Sequence, residues 1–415
     1  MRSILSLCLA FSLALLVNRA DSNSAYQRFQ ESLQLEISRK EPDKADNYTS
    51  RFIRYAAFGD SWSSGVNYGP ADQELEYDYP NGTETCRCRR VNEAWPVQLR
   101  DDINNMTNHS MAPEWTHGRQ IDLDFVACHA SYFDAIPEQL AQLNDTHPPD
   151  FATLMIGGNP GGFPDLLFNC IFWPERSKDY GPEYPDPEGE CYKAVQRCNE
   201  NVRAQWFIEG VLRSIALILT EPRIARNPSF KLYVLGYASL FNEEDKACDQ
   251  WSFGVWPGKK PLLKKALRKE INNVIHAGRE LYDRLLNGPL FGDQVQYIDI
   301  DHLFDGRRFC EPTLNGTLQQ QNEKSWLYNL EWPGCIPIME SDDPSLHELG
   351  LDEKRWPYFC RKCGGLLEYG EFVRPFHPKP PAHLAIKDLF LQKLAETISL
   401  DPPDKLRPKG LQDEF

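Results

Sequence analysis

Short apolar runs separated by polar, proline-rich stretches recur along the chain, and each run carries the period of one element. Tyr55-Ala56-Ala57-Phe58 predicts a buried strand that runs straight into a Gly59-Asp60-Ser61 corner. Ile121-Asp122-Leu123-Asp124-Phe125-Val126 alternates with period two, as strands do, and breaks at Ala127-Cys128-His129-Ala130-Ser131. Residues 151–156 form a compact apolar strand that stops at Gly157-Gly158-Asn159, and residues 232–235 and 295–300 predict two more strands. Phe207, Val211, Ile215 and Leu219 lie four apart on one helical stripe, and residues 261–286 read as helix. A helix is expected near Trp95 to Leu99, and Ile386, Phe390, Leu394 and Ile398 define a final amphipathic one. Pro380-Pro381 marks its start, because proline suits the first helical turn. Strands alternating with helices predict an α/β fold, a three-layer α/β/α sandwich around a parallel sheet. In such sheets sites collect past the carboxyl ends of strands, and Ser61, Ala130 and Asn159 all fall there.

The chain ends and the cysteines add a compartment. Met1-Arg2, an apolar run from Ile4 to Val17 and the small Ala20 predict a secretory signal peptide over residues 1–20. A polar arm follows over 21–49, then one domain over 50–400 and a polar tail over 401–415. Cysteine-rich insertions are expected near 66–120, 170–200 and 301–375. Asn47, Asn81, Asn105, Asn108, Asn144 and Asn315 each begin an Asn-x-Ser/Thr sequon, so the exported protein is expected to carry surface glycans. Of 12 cysteines, Cys8 leaves with the signal, and the odd remainder reads as mostly disulfides with at least one free or intermolecular thiol. Cys128, inside an apolar run, is the expected free one. The net charge of −15 argues against nucleic acid and against anionic membrane surfaces, and no run reaches the roughly 18 apolar residues of a membrane helix. The expected localisation is secreted and extracellular.

The chemistry rests on the Gly-Asp-Ser corner. A serine there leaves the sheet with its hydroxyl exposed and its own N–H aimed at the same reacting atom. A bare hydroxyl is a poor nucleophile at neutral pH, so it needs a base and an anion-stabilising pocket. Gly59-Asp60-Ser61, Ala127-Cys128-His129-Ala130-Ser131, Gly157-Gly158-Asn159 and Phe376-His377-Pro378 occur in that order over about residues 52–398. Together they resemble the four blocks of the SGNH (GDSL-type) hydrolase superfamily of esterases and lipases. The cysteine-rich style is most similar to its secreted, fungal-type esterase branch. The resemblance implies Ser61 as nucleophile and His377 as general base and then acid. It also implies an oxyanion hole of the Ser61 and Ala130 N–H groups and the Asn159 side-chain amide. It implies carboxylic ester substrates, small or polymeric, and neither cofactor nor metal.

Three departures and several rival readings accompany this. The family usually has Asp three residues before its histidine, where Arg374 stands here; the Arg374 carbonyl or the Glu371 side chain is the expected substitute. Ala130 replaces the usual glycine, and Pro160 the commoner Asp after Asn159. Asp60 reads as a corner-stabilising residue rather than a catalytic acid. His383 reads as a capping or surface residue, His302 as structural or substrate-contacting rather than a metal ligand, and Cys360 and Cys363 as disulfide partners rather than zinc ligands. Trp62 is expected beside the nucleophile. The alternatives in function are a carbohydrate deacetylase on the same site and a non-catalytic lipid- or glycan-binding relative.

Overall fold

The computed structural model describes residues 52–65, 88–144, 148–172, 186–253, 262–312, 324–328, 336–337, 358–359, 376–398 and 400. The expected signal peptide, arm and tail, Arg374, Glu371, Cys360, Cys363 and the sequons at Asn47, Asn81 and Asn315 lie outside them. Five strands form a wholly parallel sheet: β1 (Phe52–Gly59), β2 (Gln120–Phe125), β3 (Phe151–Met155), β4 (Lys231–Leu235) and β5 (Val295–Ile298). Their order across the sheet is β2-β1-β3-β4-β5, so β1 sits inside with the chain reversing direction of winding beside it. Parallel strands need crossover connections, and the helices supply them.

One face is covered by α2 (Trp95–Asn108) and α8 (Pro380–Thr397). The register places Tyr55 beside Phe151, and their rings stack at 4.7 Å. Tyr233 meets Phe390 of α8 at 5.2 Å on that face, and Trp95 meets Phe390 from α2 at 5.7 Å. The other layer is a connected series of α3 (Ile136–Ala141), α5 (Glu190–Arg203), α6 (Gln205–Leu219) and α7 (Lys265–Leu286). Two short helices, α1 (Ser61–Ser64) and α4 (Phe163–Leu167), follow directly on the β1 and β3 corners. The fold is therefore a three-layer α/β sandwich. No described helix is long and apolar enough to cross a membrane.

Several elements differ from their expected bounds. The helix expected near Trp95 runs to Asn108 because Leu99 and Ile103 continue its buried side. The expected insertion over 170–200 contains α5, whose buried side is Cys191, Ala194, Val195, Cys198 and Val202. Small residues and cysteines made that stripe a weak pattern, although its spacing is helical. The free cysteine was misplaced. Cys128 is bonded to Cys88, and among the described residues Cys198 is the free one. Disulfides also join Cys170 to Cys191 and Cys248 to Cys310.

The β1 corner depends on Gly59. Its φ is +141°, and an added Cβ would lie 2.5 Å from the Met155 carbonyl oxygen and 2.7 Å from Ser63 Oγ. Both neighbours are in the packed interior, so neither yields cheaply. Gly59→Ala is expected to destabilise the fold by about 2–4 kcal/mol, read as a lowered urea midpoint at unchanged m-value.

Candidate active site

The corner after β1 is built by backbone and cap bonds. Asp60 is the N-cap of α1: its Oδ1 accepts from the Trp62 N–H at 3.0 Å, leaving Ser61 as the first helical residue. The Asp60 N–H donates to the Met155 carbonyl at 2.9 Å, fastening the corner to the end of β3. Tyr237, just past β4, donates its hydroxyl to Asp60 Oδ2 at 2.5 Å and accepts from the Gly158 N–H at 3.2 Å. Burial raises the Asp60 carboxyl to about 7, against the opposing pull of the Tyr237 hydrogen bond. Asp60 thus holds the corner, as its place in the sequence suggested.

His377 arrives from the far end of the chain. Its Nε2 lies 2.7 Å from Ser61 Oγ, across 316 residues of sequence, and both side chains are buried. The backbone around it is pinned on both sides: the Tyr328 N–H donates to the His377 carbonyl at 3.0 Å, and the Phe376 N–H to the Tyr328 carbonyl at 2.7 Å. Phe376 has φ +72° and is fully buried, its ring within 5.2–5.7 Å of Phe241, Phe253 and Phe309. That aromatic plug fixes where the next residue, His377, must point. Trp62 flanks the pair, 6.4 Å from the His377 ring and edge-on to Tyr237 at 5.5 Å.

Ala130 and Asn159 stand on loops tied to this corner. The Asn159 Nδ2 donates to the Ser131 carbonyl at 3.1 Å, joining the β3 loop to the β2 loop. Gln139, from α3, holds the β2 loop and the corner together. Its Nε2 donates to the Gly59 carbonyl at 2.8 Å and to Ser131 Oγ at 3.1 Å, and its Oε1 accepts from the Gly59 N–H at 2.9 Å. Ala130 has φ +58°, the left-handed conformation in which the family's glycine is at ease and alanine is tolerated. The Cys88–Cys128 bond and the donation from Arg90 Nε to the Ala127 carbonyl, at 2.9 Å, secure the same loop from behind.

Gln139 was not singled out in the sequence, and Tyr237 and Phe376 were named only as parts of family-like segments, with no role of their own. Gln139 offered no signal, being one polar residue on an amphipathic helix. Tyr237 stood in the Leu235-Gly236-Tyr237 strand end, and Phe376 stood beside the histidine; both carried a positional hint without a stated role. His383 departs from its expected surface or capping place. It is buried in the first turn of α8, where desolvation lowers it to about 3, and the nearby His377 adds to the shift. His302 is exposed, while Asp301 beside it accepts from the Ser239 N–H at 2.6 Å and pairs with Arg279 and Arg308, a structural role.

The serine and histidine open onto a pocket. Phe163, Leu166, Val202 and Phe207 line it from α4, α5 and α6, and Ile271 and Ile275 from α7. Its walls are chiefly carbon; Asp60, Asn159, Tyr237 and His377 face in at the Ser61 end, and Arg279 lines it from α7. That division suits a molecule with one reactive polar group and an apolar body.

No family model matches the chain. It is 24% identical over 291 residues to a lipase of Streptomyces rimosus, a match covering 69% of this chain and 85% of the lipase. Among solved structures, the extracellular lipase of Streptomyces rimosus is similar at 20% identity and a TM-score of 0.42, over 66% of this chain and 92% of that one. A phospholipase A1 of Streptomyces albidoflavus is similar at 19% identity and a TM-score of 0.49, over 82% and 99%. Four motif blocks in the order of the SGNH (GDSL-type) hydrolases, a parallel sheet that carries three of them on its strand ends, and a likeness to a lipase over 69% of its length make the chain similar to that superfamily of ester hydrolases.

Proposed function

We propose that the protein is a serine esterase or lipase that hydrolyses carboxylic esters by acyl transfer through Ser61. The observation that carries the proposal is the 2.7 Å approach of Ser61 Oγ and His377 Nε2 at the mouth of an apolar pocket. In this reading the Ser61 oxygen attacks the ester carbonyl while His377 Nε2 takes its proton. The C–O bond to the alcohol then breaks, and the same proton passes from His377 to the leaving oxygen. A water, deprotonated by His377, attacks the acyl-enzyme and releases the acid, with the proton returned to Ser61.

Negative charge on the carbonyl oxygen would be met by the N–H groups of Ser61 and Ala130 and by Asn159. An amide NH₂ carries two hydrogens. One Asn159 hydrogen goes to the Ser131 carbonyl, which aims the group and leaves the other for the oxyanion. Being already in place, such donors need no reorganisation when charge develops. Export and glycosylation belong to the same proposal: the three disulfides among the described residues suit an oxidising compartment, and the sequon residues Asn105, Asn108 and Asn144 are exposed. The carbon-lined pocket favours an ester with a hydrocarbon acyl group over an acetylated sugar.

The test is hydrolysis of p-nitrophenyl esters from acetate to palmitate, beside acetylated xylan. Turnover of the acyl esters, exceeding that on acetylated xylan, is expected. Preference for acetylated xylan would make the protein a deacetylase. A folded protein that turns over no ester and resists labelling by an organophosphonate would be a binding relative instead.

A further inference from the structure

The pocket-facing side of α7 has a gap. Ile271, Val274, Ile275, Gly278 and Tyr282 are spaced three or four apart and all line the pocket, so they form one stripe of the helix. Large side chains flank Gly278 on that stripe, and Arg279, paired with Asp301, lines the same pocket next to it. A Cβ built there would meet no atom of the described residues within 4 Å. No positive φ accounts for the glycine, since Gly278 lies mid-helix between Lys265 and Leu286. Glycine in a helix interior costs stability relative to alanine. Two other glycines are held by contacts: at Gly157 an added Cβ would strike the Tyr282 hydroxyl at 2.3 Å, and at Gly210 the Phe133 ring at 2.2 Å. Among the described residues, Gly278 alone of the pocket-lining glycines would meet no neighbour with an added Cβ.

Room left by the described residues beside a mostly apolar stripe suits an apolar group. The same pocket contains Ser61 and His377, so an acyl group on Ser61 and the Gly278 gap share one continuous space. We propose that Gly278 is a specificity-determining residue whose missing side chain sets the room available to the acyl chain, making the preferred substrates esters of medium- to long-chain fatty acids. The proposal rests on the reading of Ser61 as the nucleophile and adds to it where the acyl chain goes. Phe163, Leu166 and Phe207 line the same space and supply the rest of the apolar surface for the chain.

The test is the kcat/KM profile over p-nitrophenyl esters from acetate to palmitate for Gly278→Ala, Gly278→Leu and Gly278→Phe. The ratio of decanoate to acetate activity is expected to fall in step with side-chain volume, by tenfold or more for Gly278→Phe. The alanine variant keeps most of the wild-type ratio and has a Tm at or above wild type. In a Ser61→Ala background, binding of decanoate itself, followed by calorimetry, is expected to weaken tenfold or more with Gly278→Phe. A ratio unmoved by phenylalanine in a folded, active protein would overturn the proposal. So would equal losses on acetate and decanoate, or a loss that follows the alcohol in octyl acetate rather than the acyl chain. If wild type hydrolyses no ester, the nucleophile reading fails separately, and the decanoate titration still decides whether the gap holds a chain.

Discussion

Alanine at His377 is expected to lower kcat/KM on a short acyl ester by about 10³–10⁶, and Ser61→Ala by a similar factor. In the proposed mechanism the two act as one unit, because the serine proton leaves for His377 Nε2, 2.7 Å away, as the new C–O bond forms. Once either is gone, the other has no step to serve. The Ser61→Ala/His377→Ala double variant is therefore expected to be no slower than the worse single one, within about threefold. Independent contributions would multiply instead, and a multiplied loss would show that the 2.7 Å approach is not the catalytic contact. Organophosphonate labelling separates the roles further: His377→Ala slows labelling of Ser61, while Ser61→Ala removes the labelled atom. Neither substitution leaves a large void, so circular dichroism and thermal melting should stay close to wild type.

Asn159→Ala is expected to lower kcat by about 10²–10³ with KM changed less than about threefold. A donor aimed at an oxyanion gains most of its interaction when the charge forms, so its loss appears in turnover rather than in ground-state binding. Asn159 has a second duty, since its Nδ2 bonds the Ser131 carbonyl. Asn159→Asp separates the duties: it keeps the size of the side chain and removes both hydrogens. With a carboxylate facing the developing charge, its kcat should fall at least as far as that of Asn159→Ala. A kcat within tenfold of wild type for Asn159→Ala would remove Asn159 from the oxyanion site. The remaining stabilisation would then rest on the Ser61 and Ala130 N–H groups alone.

Much of this arrangement was legible in local patterns, and the reason lies in how parallel sheets are built. Their strands are buried on both faces, so they appear as compact apolar runs, and the residues just past them are brought to one edge. Ser61, Ala130 and Asn159 could be placed that way. Helices α6, α7 and α8 were visible because three or four large apolar residues repeat on one side of each. Helix α5 was hidden, since its buried side is Cys191, Ala194, Val195, Cys198 and Val202, residues too small or too ambiguous to stand out.

Other features answer to contacts between residues far apart, and no window of sequence contains them. Cys128 sat in an apolar run like a buried free thiol, yet Cys88, 40 residues earlier, lies beside it and takes it into a disulfide. His383 looked like a helix-start residue bound for solvent; α8 instead presses its first turn into the core beside His377. Gln139 and Tyr237 are ordinary residues until the loops after β1, β2 and β3 converge, when each joins two of them with hydrogen bonds.

By itself, then, the amino-acid sequence determined the strands, most of the helices, the order of the four blocks and the chemistry those blocks can perform. Each follows from side chains within a few turns or strand lengths of one another. Only the tertiary structure decided that His377 meets Ser61 across 316 residues, held there by Phe376 among phenylalanines from distant segments. It also decided that no described residue packs against the place of a Cβ at Gly278. Distance, burial and unfilled volume are properties of packing between segments, and packing exists only once the chain has closed on itself.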